Sequence, residues 1–170
     1  MKLMIASDIH GSAKYAKKLI EVYKESGAEK LVLLGDILYH GPRNDLTDGH
    51  NPKAVVEMLN EISDEILSVR GNCDAEVDMM VLDFELDADR EYIKDGEKTL
   101  WFTHGHIYSV DYFPEAKEGD IVVQGHTHIP MDEMRNGIRC VNPGSVGLPR
   151  GGSEHQCLIY DKGEFNSIIL

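Results

Sequence analysis

The sequence predicts a single α/β domain in which two sheets pack face to face with helices outside them. Three observations support this prediction: a chain of 170 residues, an N-terminal half that alternates strands with helices, and a C-terminal half with turn signals between β-prone runs. A chain of this length is most simply one domain, here residues 1–170. Such a domain buries roughly 70% of the surface of its unfolded chain and needs no disulfide bond to be stable.

The N-terminal half has the order β-α-β-α-β. Short apolar runs predict buried strands at residues 2–7, 30–34 and 65–69. Between the first two lies a run with apolar residues at helical spacing, residues 13–26, and Gly27 is a typical helix stop. The second helix begins at Pro52, since proline is favoured at the first helical position. This order predicts a parallel sheet with helices packed on it.

The C-terminal half has the signals of hairpins. Turn residues separate two β-prone runs at Asp95-Gly96, Asn136-Gly137 and Lys162-Gly163. A further short strand is predicted at residues 120–125. We therefore expect the second half of the chain to be mainly antiparallel.

Charge and cysteine usage exclude several classes of protein. The formal net charge of −13 repels polymeric nucleic acid, because Lys and Arg supply most non-specific affinity for phosphates. No apolar run approaches the ~20 residues of a membrane span, and the apolar stretch before Asp8 is too short for a signal peptide. Cys73, Cys140 and Cys157 show no metal-binding or disulfide spacing. These features predict a cytoplasmic protein that binds neither polymeric nucleic acid nor membranes.

The predicted strands end in loops that are rich in metal-binding residue types. In chain order these loops are SDIHG, LGDIL, RGNCD, FTHGH and QGHTHIP. In open α/β sheets, ligands bind outside the carboxyl ends of the strands, so all five loops are expected to open on one edge. The candidate ligands in them are Asp8, His10, Asp36, Asn72, His104, His126 and His128.

Seven candidate ligands exceed the needs of one ion. A single zinc site takes three or four protein ligands, so seven suit two ions with one bridging carboxylate. Ligands two residues apart in a strand lie about 6.5–7 Å apart, which suits either a loop that curls or two adjacent ions. A single His or Asp at a strand end is most often a turn or capping residue, but five such loops in order favour a metal centre. Two-metal centres of this kind hydrolyse phosphate esters.

The ordered motifs D-x-H, G-D, G-N-x-D, H-G-H and G-H-x-H resemble those of the calcineurin-like metallophosphoesterases. Within that superfamily, the compact length and the segments GPRN and NPGS resemble the YfcE-like phosphodiesterases. The resemblance implies a four-layer α/β/β/α sandwich of two mixed sheets. It also implies that Asp36 bridges two ions, one held by Asp8, His10 and His128 and the other by Asn72, His104 and His126.

The resemblance implies a metal-dependent phosphoric diester hydrolase. The expected reaction is hydrolysis of small phosphodiesters by attack of a metal-bridging hydroxide. The ligand set lacks thiolate, which suits Mn²⁺, Zn²⁺, Fe²⁺ or Ni²⁺, and Mn²⁺ is our choice because the family commonly uses it. The alternatives are a phosphomonoesterase or dinucleotide polyphosphatase on the same site, or a non-catalytic interaction scaffold. The complete ligand set argues against the scaffold.

Cys73 stands where many relatives have a histidine near the leaving group. A free thiol has a pKa near 8.5, is a weak donor and cannot supply an imidazolium charge. We therefore expect a preference for substrates with good leaving groups, such as aryl phosphodiesters. The alternative is that Cys73 only packs beneath the loop.

Three further residues are candidates for the site. Asp74 is expected to orient a neighbouring group. Arg43 either pairs with a substrate phosphate or is a surface arginine in a turn. His106 either lines the pocket or caps its loop. The apolar residues of the segment from Tyr108 to Gly119 could form a pocket lid or a contact between subunits, so a homo-oligomer is one alternative.

Overall fold

The computed structural model describes residues 1–170 and contains ten strands and three α-helices. In the first half these are β1 Lys2–Ala6, α1 Ala13–Ser26, β2 Lys30–Leu33, α2 Pro52–Asn60, β3 Ile66–Ser68 and α3 Glu76–Met79. In the second half they are β4 Arg90–Asp95, β5 Lys98–Thr103, β6 Ile121–Gln124, β7 Met131–Arg135, β8 Ile138–Asn142, β9 Gln156–Asp161 and β10 Glu164–Ile169. The predicted strands, the first two helices and all three hairpins are present, whereas the short α3 was not predicted.

The first sheet has the strand order β10-β9-β1-β2-β3. Strands β1, β2 and β3 are parallel, as the alternation of strand and helix predicts. The last hairpin, β9–β10, joins this sheet through antiparallel pairing of β9 with β1. Turn signals show that a hairpin forms but not which sheet it joins, so the sequence did not predict this placement.

The second sheet has the order β4-β5-β6-β8-β7. Its two outer pairs, β4–β5 and β7–β8, are antiparallel, but β5–β6 and β6–β8 are parallel. With the β9–β10 hairpin, the second half of the chain is mainly antiparallel, as expected, but the two central pairs of this sheet are parallel, which was not predicted. The reason is that the hairpins account only for the edges, while the central strands are joined by crossovers.

Two apolar layers hold the sheets and helices together. Along β1, Leu3 and Ile5 face the second sheet, whereas Met4 and Ala6 face the helices, as the period of two in a strand requires. The layer between the sheets includes Phe102 from β5 and Tyr160 from β9, and both are fully buried. Burial on both faces explains why the central strands are continuously apolar.

The outer face of the second sheet is covered by an irregular segment, residues 104–120, rather than by a helix. Trp101 points away from the inner layer, and its ring lies 5.4 Å from that of Phe113. Val110 N donates a hydrogen bond to Gln124 Oε1 on the same side of the sheet. None of the helices is long and apolar enough to cross a bilayer.

Candidate metal centre

The chain turns sharply where the central strands end. Seven non-glycine residues have positive φ, and two of them, Asn136 and Lys162, belong to hairpin turns. The other five have φ between 49° and 67° and are all predicted ligands: Asp8, His10, Asp36, His126 and His128. Left-handed backbone is uncommon for such residues and concentrates at functional sites. The loops therefore curl at once, which brings ligands two residues apart closer than a strand would.

One cluster forms around Asp8, which is fully buried. Its Oδ1 lies 3.1 Å from His128 Nε2 and 3.5 Å from His10 Nε2, and the two Nε2 atoms are 3.3 Å apart. This Oδ1 has no hydrogen-bond partner. A buried carboxylate oxygen without a partner, facing two imidazole nitrogens, is the arrangement that a cation satisfies.

A second cluster forms around His104. Its Nε2 lies 3.0 Å from Asn72 Oδ1 and 3.2 Å from His126 Nδ1. The two clusters meet at Asp36, whose Oδ2 is 3.4 Å from His104 Nε2 and 3.6 Å from His10 Nε2. One carboxylate oxygen thus lies between the two clusters.

Three of the histidines are held in one tautomer by backbone carbonyls. His10 Nδ1–H donates to Tyr39 O at 2.7 Å, and His104 Nδ1–H donates to Leu34 O at 2.7 Å. His128 Nδ1–H donates to Leu148 O at 2.6 Å. Because a carbonyl only accepts, Nδ1 must carry the proton, and the Nε2 lone pair of a neutral ring faces the centre. Outer hydrogen bonds of this kind orient metal-binding histidines.

The pKa values of residues in both clusters also indicate that the centre favours positive charge. Burial lowers the pKa of His104 while the Asp36 carboxylate raises it, and the balance raises it to about 9. Burial raises the pKa of Asp8, but the neighbouring imidazoles of His10 and His128 hold it far below its usual range. Without metal, protons on the imidazoles would balance the buried carboxylates, and divalent ions would replace those protons.

Comparison with known proteins identifies the family. The model of the calcineurin-like phosphoesterase superfamily domain matches residues 1–164. The chain belongs to this superfamily. It is 46% identical over 170 residues to phosphodiesterase YfcE of Escherichia coli strain K12, covering all of this chain and 92% of that protein. It is 29% identical over 160 residues to the probable metallophosphoesterase YsnB of Bacillus subtilis, covering 88% of this chain and 78% of that one.

Solved structures agree with this phosphoesterase fold. The structure of YfcE from E. coli has 44% sequence identity and a TM-score of 0.96, covering 99% of this chain and 93% of that one. Vps29 from Entamoeba histolytica, at 16% identity and a TM-score of 0.63, shares the fold alone, over 99% of this chain and 97% of that one. The predicted family and the α/β sandwich of two mixed sheets are confirmed.

Asp74 joins two loops of the phosphoesterase site through its buried carboxylate. Its oxygens accept hydrogen bonds from the backbone N–H of Asp36 at 2.8 Å, of Ile37 at 2.9 Å and of Gly71 at 2.7 Å. A Cβ on Gly71 would lie 2.9 Å from Asp36 Cγ, so only glycine allows this approach. These contacts hold the backbone of the Asp36 and Asn72 loops, as the orienting role expected for Asp74 requires.

Cys73 is half-buried and lines the cavity over the clusters. Its N–H donates to Asp36 Oδ1 at 2.8 Å, and its Sγ lies within 4.8 Å of ligand atoms of His10 and Asp36. Burial, and then the negative charge of Asp36, raise the pKa of this thiol to about 12. The sulfur is therefore a neutral group that borders the cavity.

The cavity over the clusters has a volume of about 580 Å³. Arg43 lines it and is solvent-exposed in a turn, which fits both a substrate contact and a surface arginine. His106 does not line this cavity, and its exposed ring packs 5.3 Å from that of His104. Sequence reasoning missed Arg70 and Arg150, which also line the cavity. Arg70 directly precedes the GNCD motif, which was a usable signal, whereas nothing around Arg150 marks it.

Proposed function

We propose that this protein hydrolyses small phosphodiesters with two divalent metal ions, most suitably Mn²⁺. The observation that supports this best is the position of Asp36 Oδ2 between the two histidine clusters. One ion would be held by Asp8, His10 and His128, the other by Asn72, His104 and His126, and Asp36 would bridge them. The unpartnered Asp8 Oδ1 and the carbonyl-bound histidines fit this ligation.

Membership of the superfamily and the 46% identity to a phosphodiesterase make the chain a metal-dependent phosphodiester hydrolase. Two bound ions supply Lewis acidity toward phosphoryl oxygens and lower the pKa of water. The protein contributes rigid placement: curled loops aim the ligands inward, and Asp74 ties the Asp36 and Asn72 loops together. Such preorganisation is where most of the catalytic effect of a phosphoryl-transfer site arises.

Two residues of the chain face the substrate in this proposal. The Arg43 guanidinium would donate two parallel hydrogen bonds to two oxygens of the scissile phosphate. Cys73 would lie beside the leaving group as a neutral thiol. A neutral, weak donor gives little help to a poor leaving group, so aryl esters would be the favoured substrates.

A non-catalytic scaffold fits the centre less well. All seven positions carry residues that can bind a divalent ion, and a scaffold has no need of a buried carboxylate left without a partner. A phosphomonoesterase or a dinucleotide polyphosphatase would use the same centre and differ only in substrate.

All three cysteines are free, which suits the cytoplasmic location we propose.

A Mn²⁺-supplemented substrate screen tests the proposed function. We expect bis-aryl phosphodiesters to be hydrolysed faster than aryl monoesters, cyclic nucleotides and dinucleotide polyphosphates, with activity lost in a chelator. Faster hydrolysis of monoesters or dinucleotide polyphosphates would favour the alternative enzymes. No gain of hydrolysis with Mn²⁺ on any substrate would favour the scaffold.

The variant Cys73→His tests the role of the thiol. We expect the ratio of alkyl to aryl phosphodiester hydrolysis to rise about tenfold or more, because a positioned imidazole can protonate a poor leaving group, an effect worth roughly 10²–10⁴-fold in enzymes. The measurement is kcat/KM for both substrate types. Cys157→Ser, at a buried site in the layer between the first sheet and the helices, is the control for loss of a thiol. An unchanged ratio in Cys73→His would remove Cys73 from leaving-group chemistry.

A further inference from the structure

The arginines of this acidic chain divide into two groups. The chain has six, and four of them form ion pairs with carboxylates: Arg70 with Glu76, Arg90 with Glu115, Arg135 with Asp111 and Glu133, and Arg139 with Asp132. Arg43 and Arg150 have no carboxylate partner, and both line the cavity over the metal ligands. In a chain with 30 acidic residues, two uncompensated guanidinium groups in one cavity indicate a site for negative charge.

Arg150 is held close to the metal ligand His128 by its backbone. Arg150 N donates to His128 O at 3.2 Å, and His128 Nδ1 donates to Leu148 O at 2.6 Å. These two bonds set the loop of Arg150 against the loop of the ligand. The position of the arginine backbone therefore does not depend on the arginine side chain.

The side chain of Arg150 is held by a neutral group on the other wall of the cavity. Its Nη2 donates to Asn44 Oδ1 at 2.9 Å. Asn44 Nδ2 donates to His40 O at 2.7 Å, which turns the amide oxygen toward the arginine. An amide oxygen orients the guanidinium and leaves its charge uncompensated, and it occupies only one of five N–H donors.

We propose that Arg150 binds a second anionic group carried by the substrate, a carboxylate or a phosphate on one of its ester substituents. The inference rests on the proposed function, since the metal centre takes the scissile phosphate. The guanidinium fork matches both kinds of anion with two parallel hydrogen bonds. The cavity of about 580 Å³ lies within the roughly 300–1,000 Å³ of small-molecule sites.

Phosphonates test the binding of a second anionic group without turnover, because a phosphoesterase does not cleave their carbon–phosphorus bond. Calorimetry on the Mn²⁺-loaded protein compares 3-phosphonopropionate with propylphosphonate, and 4-phosphonobutyrate with butylphosphonate. We expect the carboxylated member of at least one pair to bind about tenfold more tightly, the size of one charge-assisted contact. In Arg150→Gln the ratio of the two affinities within each pair should fall to near one, while the affinity for propylphosphonate stays within about twofold of that of the unmodified protein.

Further variants separate recognition from a structural tie between the loops. Arg150→Lys should retain part of the ratio, and Asn44→Ala should lower it because the guanidinium loses its orientation. Arg135→Gln removes the same charge at the hairpin turn of β7 and β8, outside the cavity, and should leave the ratio unchanged. Equal affinities within both pairs would overturn this inference but not the proposed function. An affinity ratio that Arg150→Gln leaves unchanged would do the same. Failure of all four phosphonates to bind the Mn²⁺-loaded protein would count against the metal centre as well.

Discussion

Asp36→Asn will lower kcat/KM for a bis-aryl phosphodiester by more than about a hundredfold. The loss of an outer hydrogen-bond partner of a metal ligand already costs roughly 10–100-fold in affinity or activity, and Asp36 is itself the proposed bridge. Its Oδ2 lies 3.4 Å from His104 Nε2 and 3.6 Å from His10 Nε2. An amide there has the same shape but no negative charge to share between two ions. The measurements are steady-state kinetics and the bound-metal content.

The same substitution should leave the apo fold intact. The side-chain oxygen of asparagine can still accept the hydrogen bond that Cys73 N donates to Asp36 Oδ1. Asp132→Asn is the matched control, since it removes a carboxylate that pairs with Arg139 on the second sheet. That half-exposed pair is worth only about 0–1 kcal/mol, and activity should not change. An Asp36→Asn protein that keeps two Mn²⁺ ions and full activity would contradict the bridging assignment.

Mn²⁺ at about one hundred times its Kd will raise the melting temperature by about 5–10 °C for each site filled. Binding to the native state alone stabilises it by about 2.7 kcal/mol at that concentration. In a chain of this size, each kcal/mol raises the melting temperature by roughly 2–4 °C. The stabilisation arises because the ions neutralise the negative charge of two buried carboxylates, Asp8 and Asp36. Ligand atoms of these residues and of His104 all lie within 4.8 Å of one another. Thermal unfolding with and without Mn²⁺ measures the shift.

A chelator should reverse the shift and abolish hydrolysis together. The double variant Asp8→Asn, Asp36→Asn serves as the control, because it keeps the shape of the centre and removes its charge. We expect its melting temperature to respond to Mn²⁺ by less than about 2 °C, since little binding free energy remains. A full shift in the double variant would place the stabilising ions elsewhere on this acidic surface.

Much of the centre could be predicted from the sequence because its ligands follow strands. Asp8, Asp36 and Asn72 come after three apolar runs that form parallel strands, and parallel strands end on the same edge. The pattern involves residues that are neighbours in the chain, so it can be recognised without knowledge of the packing. The positive φ of Asp8, His10, Asp36, His126 and His128 was not predicted, because only the finished site makes that strain tolerable.

Strand pairing shows where local patterns are insufficient. The turn at Lys162-Gly163 predicts a hairpin, yet nothing in it selects β1 as the neighbour of β9. The parallel pairs of β6 with β5 and β8 are likewise set by contacts distant in the chain. The irregular segment over the second sheet stands where the resemblance implied a helical layer, and it is held by contacts with strand residues such as Trp101 with Phe113 and Gln124 with Val110.

By itself, the sequence determined the two-sheet α/β class, the superfamily and the residues at the strand ends, because periodicity and motif order are properties of neighbouring residues. Only the tertiary structure decided which atoms meet: Asp36 Oδ2 between two clusters, three Nε2 lone pairs turned inward, and Arg150 held by Asn44. The last pair is separated by 106 positions along the chain. Contacts over such separations depend on how the whole domain packs, and no local pattern carries that information.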